Sequence, residues 1–490
     1  MNKSKFYITT AIAYVNAPPH VGFALELCQA DVIARYRRLL GDDVYYLTGT
    51  DEHGQKIVKA AQEADKDPQV FADEVSQRFR DLAKDLNISN DSFIRTSDKK
   101  VHWPGAQEMW QNLNAAEVLY KKYYEGLYCS GCEAFKVPSD LVNGLCSDHN
   151  RKPEIIKEEN YFFKLSDFQE KLANIYEQGI IKIIPEHRRT EVLNFINQGL
   201  EDVSFSRPSK DLKWGIPVPG DKKHTIYVWA DALVNYISAL GFGRSEDELF
   251  KKFWPADAHV IGKDIMRFHA IIWPAMLMVV KLPLPKTILV HGHIQSGGQK
   301  MSKSLGNVID PFGLIAKYGA DAVRYFLLKE IPAMEDGDMT PERMADVYSA
   351  ELANGLGNLV ARVCALAEKS PKPLKMSSAD FEISVNDAWD FYGSAMARFR
   401  FSEALSRIYE LAREGNLYID REKPWQGDNW QKAIPNLLYL IVNMGWMLEP
   451  FLPQTAEKIF KQIGLDKSAQ GSWEEQGLKP HKGEPLFPRI

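Results

Sequence analysis

Cysteine is scarce, with five in 490 residues. An odd and small number of thiols excludes a disulfide framework. Excess basic charge is missing as well: 60 Lys and Arg face 65 Asp and Glu, for a net charge of −5. A globally basic nucleic-acid coat is thereby excluded, and any RNA must be met by a local groove. The apolar stretches Ile271–Val280 and Asn436–Glu449 fall short of the roughly 20 residues that cross a bilayer, so no membrane role is expected. Fixed-period repeats and low-complexity tracts are absent, which excludes solenoids and long disorder. The opening segment MNKSKFYITT has neither the apolar core of a secretory leader nor the Arg-rich pattern of a mitochondrial one, and a cytoplasmic protein is expected.

What is present has an alternating rhythm. Lys5–Ala13 is rich in β-branched and aromatic residues and predicts a buried strand. A turn with Asn16 and Pro18-Pro19 follows, then a helix from His20 to Gly41 with Leu25, Ile33 and Leu39-Leu40 as its apolar positions. Val44–Thr48 predicts a second strand. The rhythm returns at Thr225–Trp229, His259–Ile261 and Thr287–His291. Strand, helix, strand is the start of a doubly wound parallel sheet, so the class expected is α/β, Rossmann-like. A stretch of different character, 117–224, rich in Lys, Tyr and Cys, is expected to be a domain inserted at a crossover. Beyond about residue 345 strand signals stop. Leu352, Leu356, Leu359, Val360 and Val363 lie at helical spacing, and helices are expected again at 384–413 and 430–448. The expected organisation is a sheet domain in two halves (1–116 and 225–290) around the insert, a connecting segment 291–345, an all-α bundle 346–465 and a tail 466–490.

Four constellations carry chemistry. Pro19-His20-Val21-Gly22 stands at a strand-to-helix junction, where free N–H groups and the helix dipole attract anions. Lys300-Met301-Ser302-Lys303-Ser304 follows Gly297-Gly298 and suits a mobile polyphosphate clamp. Each alone reads equally as a solvated turn. Together, both at carboxyl ends of sheet strands, they point to an ATP site. Cys129-x2-Cys132 and Cys146-x2-His149 supply four N/S donors, a closed tetrahedral set for one structural Zn2+ per chain. The two remaining cysteines, Cys28 and Cys364, read as small buried fillers. Asn354, Asn358 and Arg362 recur every fourth residue, opposite the leucines.

The two phosphate-type segments resemble the signatures of class I aminoacyl-tRNA synthetases. The chain is similar to the methionyl-tRNA synthetases over essentially its whole length. The strings that carry the likeness are AYVNAPPHVG (13–22), YYLTGTDEHGQKI (45–57), YVWADAL (227–233), HVIGKDI (259–265), RFH (267–269), KMSKSLGNVIDP (300–311) and NLYIDREKPW (416–425). The resemblance implies ligation of L-methionine to tRNA(Met), with ATP and Mg2+ as the substrate complex. It implies a methionine site of Ala11, Ile12, Tyr14, Asp51, Trp229, Leu233, Tyr236, Ile265 and His269. Asp51 would meet the ammonium, Tyr14 and Trp229 would wall the side chain, and Tyr236 or His269 would offer a polar contact near sulfur. Leu233 stands where some relatives have proline. For ATP it implies His20, Asn16, Pro19, Gly22, Phe23, Gly262 and Asp264, with Lys300, Ser302 and Lys303 in the closing loop. Asn354, Asn358, Arg362 and Trp425 would read a CAU anticodon, and 291–345 would contact the tRNA stem. One departure stands out: Phe23 occupies the position of the usual second signature histidine, and Asn16 is the candidate to compensate. No oligonucleotide-binding domain follows the bundle, so a monomer is expected.

Overall fold

The computed structural model describes residues 3–129, 134–136, 141–147, 151–301, 307–468 and 473–490. The chain divides into two compact units. The first comprises Met1–Pro19, Leu40–Ala83 and Ser89–His291, and the second His20–Leu39, Lys84–Ile88 and Gly292–Ile490.

A six-stranded, wholly parallel sheet organises the first unit. Its strands lie in the order Ser92–Arg95, Asp43–Asp51, Lys5–Tyr14, Ala258–Gly262, Thr287–His291, Lys182–Ile184. The order reverses between Lys5–Tyr14 and Ala258–Gly262, and such a switch point opens a crevice at the strands' carboxyl ends. Burial on both faces explains the near-continuous apolar run of Lys5–Tyr14. Its pairing with Asp43–Asp51 slips between Thr9 and Ile12, an irregularity that re-aims the side chains around Ala11.

Two differences from the expected rhythm appear here. Lys182–Ile184, inside the stretch read as an insert, is the edge strand of the parallel sheet. Thr225–Trp229 is not one of its strands. Asp221–Ile226 pairs antiparallel with Ser206–Pro208 and Pro217–Val218, and Val228–Ala232 is a short helix. A run of aromatic and β-branched residues fits a buried helical turn as well as a strand, and packing decided between them. Within 119–163 a long antiparallel pair joins Leu119–Cys129 to Glu154–Phe163, with Phe162 and Phe163 buried.

The second unit is helical. Its long helices are Val21–Leu39, Ala320–Lys329, Glu382–Ala397, Phe401–Glu422, Asn429–Leu448 and Pro453–Ile463. The helix expected over 384–413 is two helices. Phe399, with φ +57°, takes the left-handed conformation, and the N–H groups of Phe399 and Arg400 cap Met396 and Ala395. That pattern closes a helix without a glycine, which is why no sequence signal announced it. Pro341–Val347 leads into π-helical turns over Tyr348–Gly357 and then the α-helix Asn358–Ala367. Among the described residues no helix is long and apolar enough to cross a membrane.

Candidate functional site

The strand order brings nearly all of the expected methionine-site residues into one cluster of the first unit. Tyr14 and Asp51 are register partners at the carboxyl ends of adjacent strands, and the Val15 N–H donates to the Asp51 carbonyl at 3.1 Å. Ala11, Leu233 and Tyr236 belong to the buried core, against which Ile12, Tyr14, Trp229 and Ile265 pack half-buried. Trp229 stacks face to face on Phe268, centroids 3.6 Å apart and planes 5° apart, with its edge toward His269. Phe268 was not among the residues expected from sequence. It neighbours His269 in the RFH string, but nothing in the string says that its ring would back the indole.

His269 rides on the π-helical turn Phe268–Ile272, a geometry that recurs at functional sites because it turns a side chain off the helical register. Its Nδ1 lies 3.0 Å from the Ile265 carbonyl oxygen. A carbonyl only accepts, so Nδ1 carries the proton and Nε2 is the acceptor. The Tyr236 hydroxyl, 2.6 Å away, therefore donates to it. Burial lowers the His269 pKa to about 4, so the ring is neutral near pH 7. In this arrangement both protons of the pair are engaged within the protein. A second buried histidine, His259, also missed from sequence, tilts against Tyr236 at 4.3 Å and shares a 2.8 Å hydrogen bond with Thr9. Burial holds its pKa well below the usual value.

Behind Asp51 the next residue is anchored. Glu52 is fully buried and takes two hydrogen bonds from Arg95, at 2.7 and 2.8 Å, and one from Thr50 at 2.6 Å. Ser97 also donates to Glu52, and the Glu52 N–H donates to Thr96 at 2.8 Å. Thr96 in turn reaches Asp51 at 3.4 Å. The fork geometry of Arg95 fixes this carboxylate in orientation, which fixes the end of the strand carrying Asp51.

Residues expected around ATP are divided between the units: Asn16, Pro19, Gly262 and Asp264 in the first; His20, Gly22, Phe23 and the loop after Gln299 in the second. His20 is exposed, and its Nδ1 accepts the Gly22 N–H at 3.0 Å. Its Nε2 is therefore the ring position that carries the proton outward when the ring is neutral. A Cβ on Gly22 would lie 2.8 Å from the His20 ring. The absence of a Cβ at Gly22 thus leaves the room in which the histidine ring folds over the first helical turn. Gly297 and Gly298 take φ +62° and +73° between Gln295–Ser296 and Gln299–Lys300. Two left-handed residues make a type I′ hairpin turn, so these glycines build the turn that precedes the loop. Ser302 and Lys303 lie outside the described residues, and Lys300 is described only in its backbone, as the end of that hairpin.

Cys129 and Cys146 are buried at the ends of Leu119–Cys129 and Leu145–Cys146, while Cys132 and His149 lie outside the described residues. The two lone cysteines are as expected: Cys28 and Cys364 are fully buried, and burial pushes both thiols up to about 12. On the helical unit Asn354 and Asn358 are exposed, and Arg362 pairs with Asp420 at 2.6 Å. Asn416, within 3.5 Å of both Asn358 and Arg362, ties this stripe to the helix Phe401–Glu422. The Trp425 indole is 54% exposed, unusual for a ring of that size.

Residues 6–147 and 136–364 match the model of the class I tRNA synthetases (M), and 385–484 match the anticodon-binding domain of tRNA ligases. The methionine–tRNA ligase of Thermotoga maritima is 42% identical over 99% of this chain and 80% of its own. That of Brucella suis is 43% identical over 100% of this chain and 98% of its own. The methionyl-tRNA synthetase of Mycobacterium tuberculosis, solved in complex with methionyl-adenylate, superposes with a TM-score of 0.92 at 36% identity, covering 99% of this chain and 100% of that one. With its parallel-sheet core and its C-terminal helical anticodon-binding domain, the chain belongs to the methionyl-tRNA synthetase family of class I.

Proposed function

We propose that the chain ligates L-methionine to tRNA(Met) in two steps. A methionine carboxylate oxygen attacks the α-phosphorus of ATP·Mg2+, and pyrophosphate leaves, giving methionyl-adenylate. The 2′-hydroxyl of the tRNA's terminal adenosine then attacks the activated carbonyl, AMP departs, and the hydroxyl proton leaves with the phosphate. Both nucleophiles belong to substrates, so the protein supplies alignment and charge stabilisation. The observation that carries the reading is the aromatic and imidazole cluster beside Asp51 at the sheet's switch point.

In this reading Asp51 neutralises the ammonium, and Tyr14 and Trp229, backed by Phe268, enclose the thioether. Methionine's flexible, polarisable side chain is selected by shape and ring contact. The His20 Nε2 proton and Lys303 stabilise charge on the phosphates, Lys300 and Ser302 help close the loop, and Gly262 and Asp264 face the adenosine. Asn16 compensates for Phe23. Asn354, Asn358 and Arg362 read base edges of a CAU anticodon while Trp425 stacks on an unpaired base. Cys129, Cys132, Cys146 and His149 hold one Zn2+; the buried thiols of Cys129 and Cys146, each at the end of a strand, suit a thiophilic ion, and a closed site of this kind cross-links the fold rather than reacting. The expected domain boundaries, the stem contact of 291–345, a monomer and a cytoplasmic setting complete the proposal. Methionine-dependent ATP–pyrophosphate exchange tests it: exchange with methionine and not with leucine or isoleucine is expected, and exchange with none of the three would overturn it.

A further inference from the structure

Asp231 stands two positions after Trp229 on the short helix Val228–Ala232, and His53 stands two positions after Asp51, just beyond the strand Asp43–Asp51. Asp231 is fully buried and has no part in the roles assigned so far. Its Oδ2 accepts from His53 Nδ1 at 2.6 Å, and its Oδ1 accepts from His102 Nε2 at 2.6 Å. His102 is itself held from behind by the buried Ser238 hydroxyl, 2.8 Å from Nδ1. The His53 ring is set between the edges of Trp103 and Trp214, with centroids at 6.1 and 5.5 Å. Burial acts to raise the Asp231 pKa, but the two imidazoles outweigh it, and the carboxyl is held below its ordinary value as a carboxylate. A charge wholly removed from water and satisfied by two aimed donors cannot shift without leaving a buried group unpaired.

We propose that Asp231 is a positioning residue that, through His53, fixes the separation between the Asp51 carboxylate and the Trp229 indole. The proposal rests on the methionine reading of that slot and adds a specificity device to it. The wall and the ammonium partner come from different elements, one a helix after the small antiparallel sheet and the other a strand of the parallel sheet. The His53–Asp231 bond is a direct tie between those two elements. A ligand that touches both features at once needs them at the right spacing, whereas a ligand that touches only the wall does not.

Three ligands separate these cases in ATP–pyrophosphate exchange. Methionine and methioninol carry both the thioether and the ammonium; 4-(methylthio)butanoate carries the thioether alone. In Asp231→Asn an amide N–H confronts an imidazole N–H, and the tie loosens. The methionine KM and the methioninol inhibition constant should each rise about tenfold or more, the scale set by misplacing a binding group by a fraction of an ångström to an ångström. The inhibition constant of 4-(methylthio)butanoate and the KM for ATP should stay within about twofold, a split that general loosening of the fold does not produce. His53→Ala should repeat the Asp231→Asn pattern. His53→Asn, whose amide can place an N–H near the position of Nδ1, should restore most of the loss, so the His53 pair decides the matter if Asp231→Asn does not fold. Equal weakening of all three ligands, or no weakening in a folded variant, would overturn the proposal. Absence of methionine-dependent exchange in the unaltered protein would instead remove the functional reading, and the proposal with it.

Discussion

Both units bury ionic groups completely, and two of these groups, one from each unit, are built for different ends. In the first unit Asp231 sits between two imidazoles, two residues from Trp229 and joined to a histidine two residues from Asp51. In the second, the fully buried Arg324 meets Asp31 at 2.7 Å and donates to the carbonyls of Leu86, Pro450 and Phe451 at 2.7 to 3.2 Å. Asp31 lies midway along the helix Val21–Leu39, well away from His20 at its start. In the proposal above the first group positions the methionine slot; the second holds helices and chain turns together. Complete burial of charge therefore does not by itself mark a functional residue, and what lies beside it decides.

The largest effect should come from breaking the structural member of this pair. Arg324→Met takes from Asp31 a buried guanidinium partner, leaving the 2.8 Å pair with Arg35 in place, and deprives three carbonyls of a donor. A loss of about 3–5 kcal/mol in urea unfolding is expected, with the methionine KM of the folded fraction unchanged; a raised KM would erase the distinction. The next effect separates the histidines by pH. His269, buried and near pKa 4 against an ordinary 6.5, is protonated in the unfolded chain before it is in the folded one. Its contribution is full above about pH 6.5 and is lost as the pH falls toward 4, amounting to about 3 kcal/mol. Unfolding at pH 7 and pH 4 should show this loss, and His269→Gln should reduce it by that amount. Removing the exposed indole by Trp425→Ala should cost about 1–3 kcal/mol in tRNA affinity, read as a raised tRNA KM in aminoacylation with pyrophosphate exchange untouched. The smallest change is expected at the signature itself. Phe23→His should leave adenylate formation as it is, whereas a gain of about a hundredfold, the scale of one aimed donor, would show that Asn16 does not compensate.

The parallel sheet was legible because buried parallel strands are long apolar runs, as at Lys5–Ala13 and Thr287–His291. Tyr227–Trp229 misled for the same reason, since a buried helical turn has the same composition. The slot's residues were readable through the family strings rather than through spacing. What the strings do not say is which residues support one another: Phe268 behind Trp229, His259 against Tyr236, the Glu52–Arg95 fork behind Asp51. Such partners meet across the fold, 178 residues apart for His53 and Asp231 and 250 for Thr9 and His259, and no local pattern announces a hydrogen bond at that distance. The role of Gly22 was invisible for a different reason: a missing Cβ shows its use only once the ring that fills the space is placed.

The most direct measurement of the account is a single turnover without tRNA. Enzyme in excess over radiolabelled methionine, mixed with ATP and Mg2+ and quenched with acid, should yield methionyl-adenylate approaching the methionine supplied, and Asp51→Asn should sharply reduce it. A folded protein that forms no adenylate, or that forms it equally well without the Asp51 carboxylate, would contradict the account.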